Sequence, residues 1–190
     1  MMRIITGRAR GVRLDTLEGE ATRPTLERTK EALFSMIQFE IRDARVLDLF
    51  AGSGQLGLEA VSRGAREAIF CDRSRDAVAV IRRNIQKTRM ERECEVFCTD
   101  YQAALTALRG KEPFSLVFLD PPYALGAIPT ALSMLIENRL LADGALIVCE
   151  TGDAREVFFE DADLAARFEL IRQARYAAAS VTVLRFLERT

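Results

Sequence analysis

Apolar residues follow two rhythms along this chain. Short runs that are apolar at nearly every position occupy residues 45–49, 67–72, 94–98, 114–119 and 144–150, each with an acidic residue at or within two positions of its end. Runs of that length and composition predict strands buried on both faces of a parallel sheet. Between them the apolar positions recur at helical spacing. Leu26, Leu33, Met36, Ile37 and Ile41 predict a helix from Thr25 to about Ile41, with Pro24 and Thr25 at its start and Glu27 in its first turn. Ala77, Val80 and Ile81 mark the inward face of a helix over 74–87, and others end near Gly64 and Leu108 or span 127–137. Two last runs, 168–174 and 181–187, form an antiparallel pair. Five β/α units followed by such a pair predict an α/β fold, a mostly parallel sheet with an antiparallel end pair and helices on both faces.

The N-terminus has its own pattern. Residues 3–6 and 11–15 read as two short strands around a turn containing Gly7, Arg8, Ala9 and Arg10, a small N-terminal β-hairpin. A linker over 18–25 follows, so residues 1–20 are expected to form an extension and 21–190 the main domain. Charge sharpens this division. The whole chain carries a net charge of −1, yet residues 1–30 hold seven Lys/Arg against four Asp/Glu. Arg3, Arg8, Arg10 and Arg13 precede the first acidic residue, Asp15, and a local basic patch of this kind suits a phosphate polymer. Arg23, Thr25 and Arg28 lie around the start of the first helix, with Thr25 and Arg28 three apart on one face.

Composition removes several chemistries. The chain contains no histidine, which excludes Ser-His-Asp and Cys-His mechanisms and most transition-metal sites. Cys71, Cys94, Cys98 and Cys149 form no Cys-x-x-Cys pair and read as reduced core thiols. No metal is expected. No apolar run reaches the length of a membrane span and residues 1–6 lack the apolar region of a signal peptide, so the expected setting is the cytoplasm, away from membrane.

Candidate chemistry gathers at the strand ends. Phe50-Ala-Gly-Ser-Gly-Gln-Leu-Gly57 is a glycine loop between strand and helix, with Gly52, Gly54 and Gly57 in Gly-x-Gly-x-x-Gly spacing and Asp72 twenty residues after Gly52. Dinucleotide sites share this fingerprint. Asp48 separates the cases: a carboxylate just before the glycines repels a pyrophosphate but suits S-adenosylmethionine, whose amino-acid end carries an ammonium near a sulfonium. Asp72 can hold ribose hydroxyls in either case. Asp100, beyond the third strand, can accept an adenine amine or cap the next helix. The fourth strand runs into Asp120-Pro-Pro-Tyr123. Pro121 and Pro122 stiffen the turn, so that Asp120, nearby carbonyls and the Tyr123 ring can hold a planar amine by accepting its protons and stacking on its base.

Taken together these motifs resemble those of the bacterial 16S rRNA guanine-N2 methyltransferases, the small-subunit rRNA methyltransferase D type. The resemblance covers nearly the whole chain and rests on Met2-Arg-Ile-Ile-Thr-Gly7, Thr22-Arg-Pro-Thr25, Lys30-Glu-Ala-Leu-Phe34, Val46-Leu-Asp-Leu-Phe-Ala-Gly-Ser-Gly54, Leu58-Glu-Ala60, Ser62-Arg-Gly-Ala65 and Asp120-Pro-Pro-Tyr123. It implies a Rossmann-like class I S-adenosylmethionine-dependent fold. On matching positions it implies donor binding by Asp48, Phe50, Gly52, Gly54, Asp72 and Asp100, catalysis at Asp120, Pro121, Pro122 and Tyr123, and RNA contact by Arg23, Arg28 and the hairpin. The implied partner is 16S rRNA in a small-subunit particle, met by a monomer. Two departures concern substrate fit: Glu150-Thr151 stands where the family often has a histidine after the acidic strand end, and Tyr176-Ala177 where it often has Tyr-Gly. An amino-methyltransferase acting on another nucleobase or on protein glutamine, a noncatalytic RNA-binding assembly factor and an NAD-dependent oxidoreductase stay open as alternatives.

Overall fold

The computed structural model describes residues 2–17, 24–122, 126–153, 157–158, 161–176 and 179–188, without the side chains of 24–28 and 176. Its elements, in order, are α1 (Pro24–Met36), β1 (Arg45–Asp48), α2 (Gln55–Ser62), β2 (Glu67–Asp72), α3 (Arg75–Thr88), β3 (Cys94–Cys98), α4 (Tyr101–Ala107), β4 (Phe114–Leu119), α5 (Ile128–Glu137), β5 (Leu141–Thr151), α6 (Ala162–Ala165), β6 (Phe168–Tyr176) and β7 (Ala179–Phe186). The strands form one sheet in the order β3-β2-β1-β4-β5-β7-β6. The first five are parallel, and β7 runs antiparallel to both β5 and β6. Chain order reverses between β1 and β4, and a crevice opens outside the carboxyl ends of strands at such a point.

Each sheet face has its own core. Phe34, Leu58, Phe70, Ile81 and Phe118 belong to the layer of α1, α2 and α3, while Leu105, Leu119, Leu132, Ile147 and Leu184 belong to the layer of α4, α5 and α6. The split follows from alternation: Leu47 and Val117 face one way, Val46 and Phe118 the other. Among the described residues no helix is long and apolar enough to cross a membrane.

Helix α1 ends at Met36, five residues short of the expected Ile41. Ile37 and Ile41 are buried as their spacing implies, but they reach the core through turns, with Glu40 N donating to Ile37 O and Ala44 N to Ile41 O. Asp43 adopts a left-handed φ of 59°, which an α-helix cannot contain. The short helix α6 carries no sequence expectation; Asp161 caps it by accepting from Leu164 N.

The N-terminal hairpin forms as a loose loop rather than two strands. Its ladder is a single antiparallel bridge, Arg3 with Arg13, supported by bonds from Ile4 N to Val12 O and from Leu14 N to Met2 O. The reason is competition for its amides. Ile5 N and Thr6 N donate to the Glu59 carboxylate of α2 at 2.8 and 3.0 Å, Ala9 N to Ser62 Oγ and Arg8 N to Ser62 O. Ile4, Ala9 and Leu14 are buried in the core of α1–α3. Gly7 permits the approach, since a Cβ there would stand 1.8 Å from the Ser62 carbonyl oxygen.

Candidate functional site

At the β1/β4 reversal a cavity of about 730 Å³ opens. Its walls include Asp48, Phe50, Gly52, Asp72, Asp100, Asp120, Pro121 and Pro122, so one space brings together the donor-type and amine-type residues read from the sequence. Strand register explains the convergence. Asp48 pairs with Phe70 and with Phe118, which sets Asp72 and Asp120 two residues further along and level with each other. Glu150 is level with Asp120, one residue beyond the Leu119–Cys149 pair. By alternation all four carboxylates belong to the sheet face that carries α2.

The glycine loop turns its amides inward. Gly52 N donates to Asp72 Oδ2 at 2.9 Å, Gly57 N to Asp48 Oδ2 at 3.0 Å and Gly54 N to Ala51 O. Asp72 Oδ1 also accepts from Ser74 N at 2.8 Å. A pyrophosphate cradle needs such amides pointing at the ligand. Here three of them hold the loop, which fits a ligand carrying hydroxyls and a cation better than one carrying phosphates. Gly54 lies off the cavity: with φ of 77°, its absent Cβ leaves room for Ile81 and Phe70. Gly57 likewise serves packing, as a Cβ there would come within 2.4 Å of the Phe70 ring.

The acidic groups differ in setting. Asp48 is 2% exposed, and burial pushes its carboxyl up to about 7, against the Gly57 hydrogen bond and with a further upward push from Asp72. Asp100 caps α4, its Oδ1 accepting from Gln102 N and Ala103 N, while Oδ2 takes no hydrogen bond among the described residues. The capping task is therefore met by Oδ1 alone, and Asp100 also lines the cavity. Tyr101 lies next to it, its ring 5.2 Å from that of Phe50, and together they give the cavity an aromatic wall.

The expected RNA-binding residues are spread more widely. Arg10 and Arg13 are exposed on the loop, whereas Arg8 donates to Glu93 Oε1 at 2.7 Å and Arg3 engages Lys30 through its backbone carbonyl. Arg23 and Tyr123 lie outside the described residues, as do the side chains of Thr25 and Arg28. All four cysteines are on strands, but only Cys71 and Cys149 are buried; Cys94 is half-buried and Cys98 exposed. Burial pushes the thiols of Cys71 and Cys94 up to about 12, leaving them unreactive.

Two buried polar residues with structural consequences escape the sequence patterns. Glu59 is fully buried, ion-paired to Lys30 at 3.5 Å and accepting from Arg63 Nε at 2.8 Å, besides the two hairpin amides. Asn84, also fully buried, accepts from Asp15 N and donates to Asp15 O and to Ser53 O of the glycine loop. Through it the end of the hairpin, and Leu17 in the cavity wall, are tied to the loop.

A switch-point cavity with an inward-bonded glycine loop and an Asp-Pro-Pro turn, on a parallel sheet with an antiparallel end pair, defines a Rossmann-like methyltransferase architecture. The family described as Conserved hypothetical protein 95 matches residues 2–185. Ribosomal RNA small subunit methyltransferase D of Haemophilus influenzae is 38% identical over 79% of this chain and 78% of its own length. The putative rRNA methyltransferase YlbH of Bacillus subtilis is 38% identical over 78% and 82%. A solved structure titled putative methyltransferase yhhF, from Escherichia coli, superposes with a TM-score of 0.86, at 31% identity over 99% of both chains. The chain belongs to the small-subunit rRNA methyltransferase D family.

Proposed function

We propose that this protein transfers a methyl group from S-adenosylmethionine to the exocyclic N2 amine of a guanine in 16S rRNA, acting as a cytoplasmic monomer on a small-subunit particle. The observation that supports this most is the shared cavity, in which the groups suited to a donor and the groups suited to an amine face one space. Bound there, S-adenosylmethionine would supply an electrophilic methyl group carried on a sulfonium. Asp72 would take the ribose hydroxyls, Asp100 the adenine amine through Oδ2, and Asp48 the ammonium end; Phe50 and Tyr101 supply an apolar wall for the adenine.

Guanine N2 is a weak nucleophile because its lone pair is delocalised into the ring. The site must therefore orient that pair and stabilise the positive charge that develops on nitrogen. Asp120 and the Pro121 carbonyl, both in the cavity wall, would accept the two N2 protons and so turn the lone pair toward the methyl group. With the donor bound, the N2 pair would form the new N–C bond as the C–S bond breaks and the sulfonium leaves as a neutral thioether, and Asp120 would pass one N2 proton on to solvent. The base must come to the cavity unpaired. Pro121 and Pro122 restrict the backbone of the turn, and Tyr123, next in sequence, is assigned to stack on the base. The exposed Arg10 and Arg13, with Arg3, Arg8, Arg23, Thr25 and Arg28, are assigned to the RNA backbone.

Calorimetry with S-adenosylmethionine and with NAD, followed by labelled methyl transfer to undermethylated 16S rRNA, tests the reading. Donor binding with transfer is expected. Binding of NAD alone would restore the oxidoreductase alternative, and donor binding without transfer to any rRNA would favour a noncatalytic assembly factor.

A further inference from the structure

We propose that the outer face of α3 is a second RNA-binding surface, on which Arg75, Arg82 and Arg89 contact phosphates of the substrate strand flanking the cavity. The proposal rests on the reading of this protein as an RNA methyltransferase. The three arginines are seven positions apart and recur on one side of the helix and its C-cap, about 21 Å from first to last. All three are exposed, and none of their guanidinium groups has a hydrogen bond or ion pair among the described residues. Ala79 and Gln86, the other exposed residues of this row, are uncharged, so no carboxylate interrupts it.

The adjoining row of the same helix contrasts with it. There Arg83 and Lys87 both pair with Asp15, and Asp76 lies on that row as well. Pairing with Asp15 fixes the exit of the N-terminal loop, with its exposed Arg10 and Arg13, beside the arginine row. At the other end, Arg73 is exposed and lines the cavity two residues before Arg75. A basic surface therefore runs from the cavity rim along α3 to the loop. Its length spans several nucleotides, and guanidinium groups suit phosphate oxygens through paired N–H donors. A nucleic-acid strand with one base in the cavity is the occupant that this charge and continuity fit.

The test compares the variant Arg75→Gln/Arg82→Gln/Arg89→Gln with Arg109→Gln/Lys111→Gln/Arg139→Gln, which removes the same charge from exposed positions after α4 and α5, on the opposite sheet face. Binding of a 16S rRNA fragment is measured across a KCl series, with circular dichroism to confirm folding. Each lost phosphate contact on a single strand removes about 0.7 from the slope of log K against log salt. The α3 variant is expected to bind roughly tenfold or more weakly at moderate salt, with a slope shallower by about 2, and to keep its S-adenosylmethionine affinity. The control variant keeps most of the wild-type slope. Equal slopes in wild type and the α3 variant, or equal losses in both variants, overturn the proposal. A slope change in a protein that transfers no methyl group supports this surface while sinking the methyl-transfer reading, and a wild-type protein that binds no RNA overturns both.

Discussion

Asp72 accepts the amide of Gly52 at 2.9 Å, so the acidic end of β2 holds the loop that leaves β1. The same carboxylate takes Ser74 N and lines the cavity, which joins loop shape to the cavity wall in one side chain. Asp72→Ala removes an acceptor from two backbone amides and, on the proposed reading, from the ribose hydroxyls. Donor affinity is expected to fall about 10²-fold, since hydrogen bonds to a charged group are worth about 1.5–3 kcal/mol each. Titration calorimetry checks it; affinity within a factor of three of wild type would remove Asp72 from the donor site.

Asp48 is expected to make donor binding depend on pH. Its free-protein value of about 7 means that near neutrality much of the population carries a proton, while a cationic donor favours the ionised form. Affinity should drop up to about tenfold from pH 8 to pH 6, with protons released on binding near pH 7. Calorimetry in buffers of different ionisation enthalpy reads the release directly. The stability effect has the matching sign. Because the folded value lies above 3.8, the folded state binds the extra proton, and stability falls as pH rises from about 4 to 7. Asp48→Asn should raise the donor-free Tm at pH 8 and abolish the pH dependence of binding; an unchanged proton release in that variant would place its origin elsewhere.

Glu59 is expected to govern the hairpin rather than the donor. Glu59→Gln removes the charge that offsets buried Lys30 and turns an amide group toward the hairpin N–H donors. Breaking a buried pair from one side costs about 3–5 kcal/mol. Amide exchange at Ile5 and Thr6 should accelerate more than at β1, and RNA affinity should fall while donor affinity stays. Uniform acceleration across the sheet would show that Glu59 serves global stability alone.

Asp120 and Tyr123 should fail in different ways. Asp120→Ala removes the charged acceptor for a nitrogen that becomes cationic, so single-turnover transfer should slow on the order of 10²-fold or more while donor binding survives. Tyr123→Ala removes a stacking ring worth roughly 1–3 kcal/mol, whereas Tyr123→Phe keeps it and most of the activity. Near-normal transfer by Asp120→Ala, or equal losses in the two Tyr123 variants, would break this division of tasks.

Sequence pattern resolves this fold best where burial is two-sided. The runs ending in Asp72 and Cys98 have the expected bounds because each is short, apolar and stopped by turn residues. Periodicity overreaches after Met36, since Ile37 and Ile41 sustain a helical rhythm while reaching the core through turns. The hairpin strands are visible, but not that Glu59, more than fifty residues away, takes the amides that would have extended their ladder. Glu59 and Asn84 look like surface residues of amphipathic helices; their burial follows from partners distant in sequence. In the site, the strand-end carboxylates are readable because the fold brings such ends to one edge. Gly54 is the exception: the motif suggests ligand contact, whereas its position against Ile81 and Phe70 makes it a packing residue.

Methyl transfer to guanine N2 is read most directly with ribosomal RNA from a strain lacking this gene, labelled S-adenosylmethionine and the purified protein, followed by mapping of the label to a nucleotide and an atom. One labelled guanine in 16S rRNA, methylated at N2, is expected, with no label when Asp120→Ala is used for the same short reaction time. Label on adenine, cytosine or 23S rRNA, or none on any rRNA from either free RNA or small-subunit particles, would contradict it.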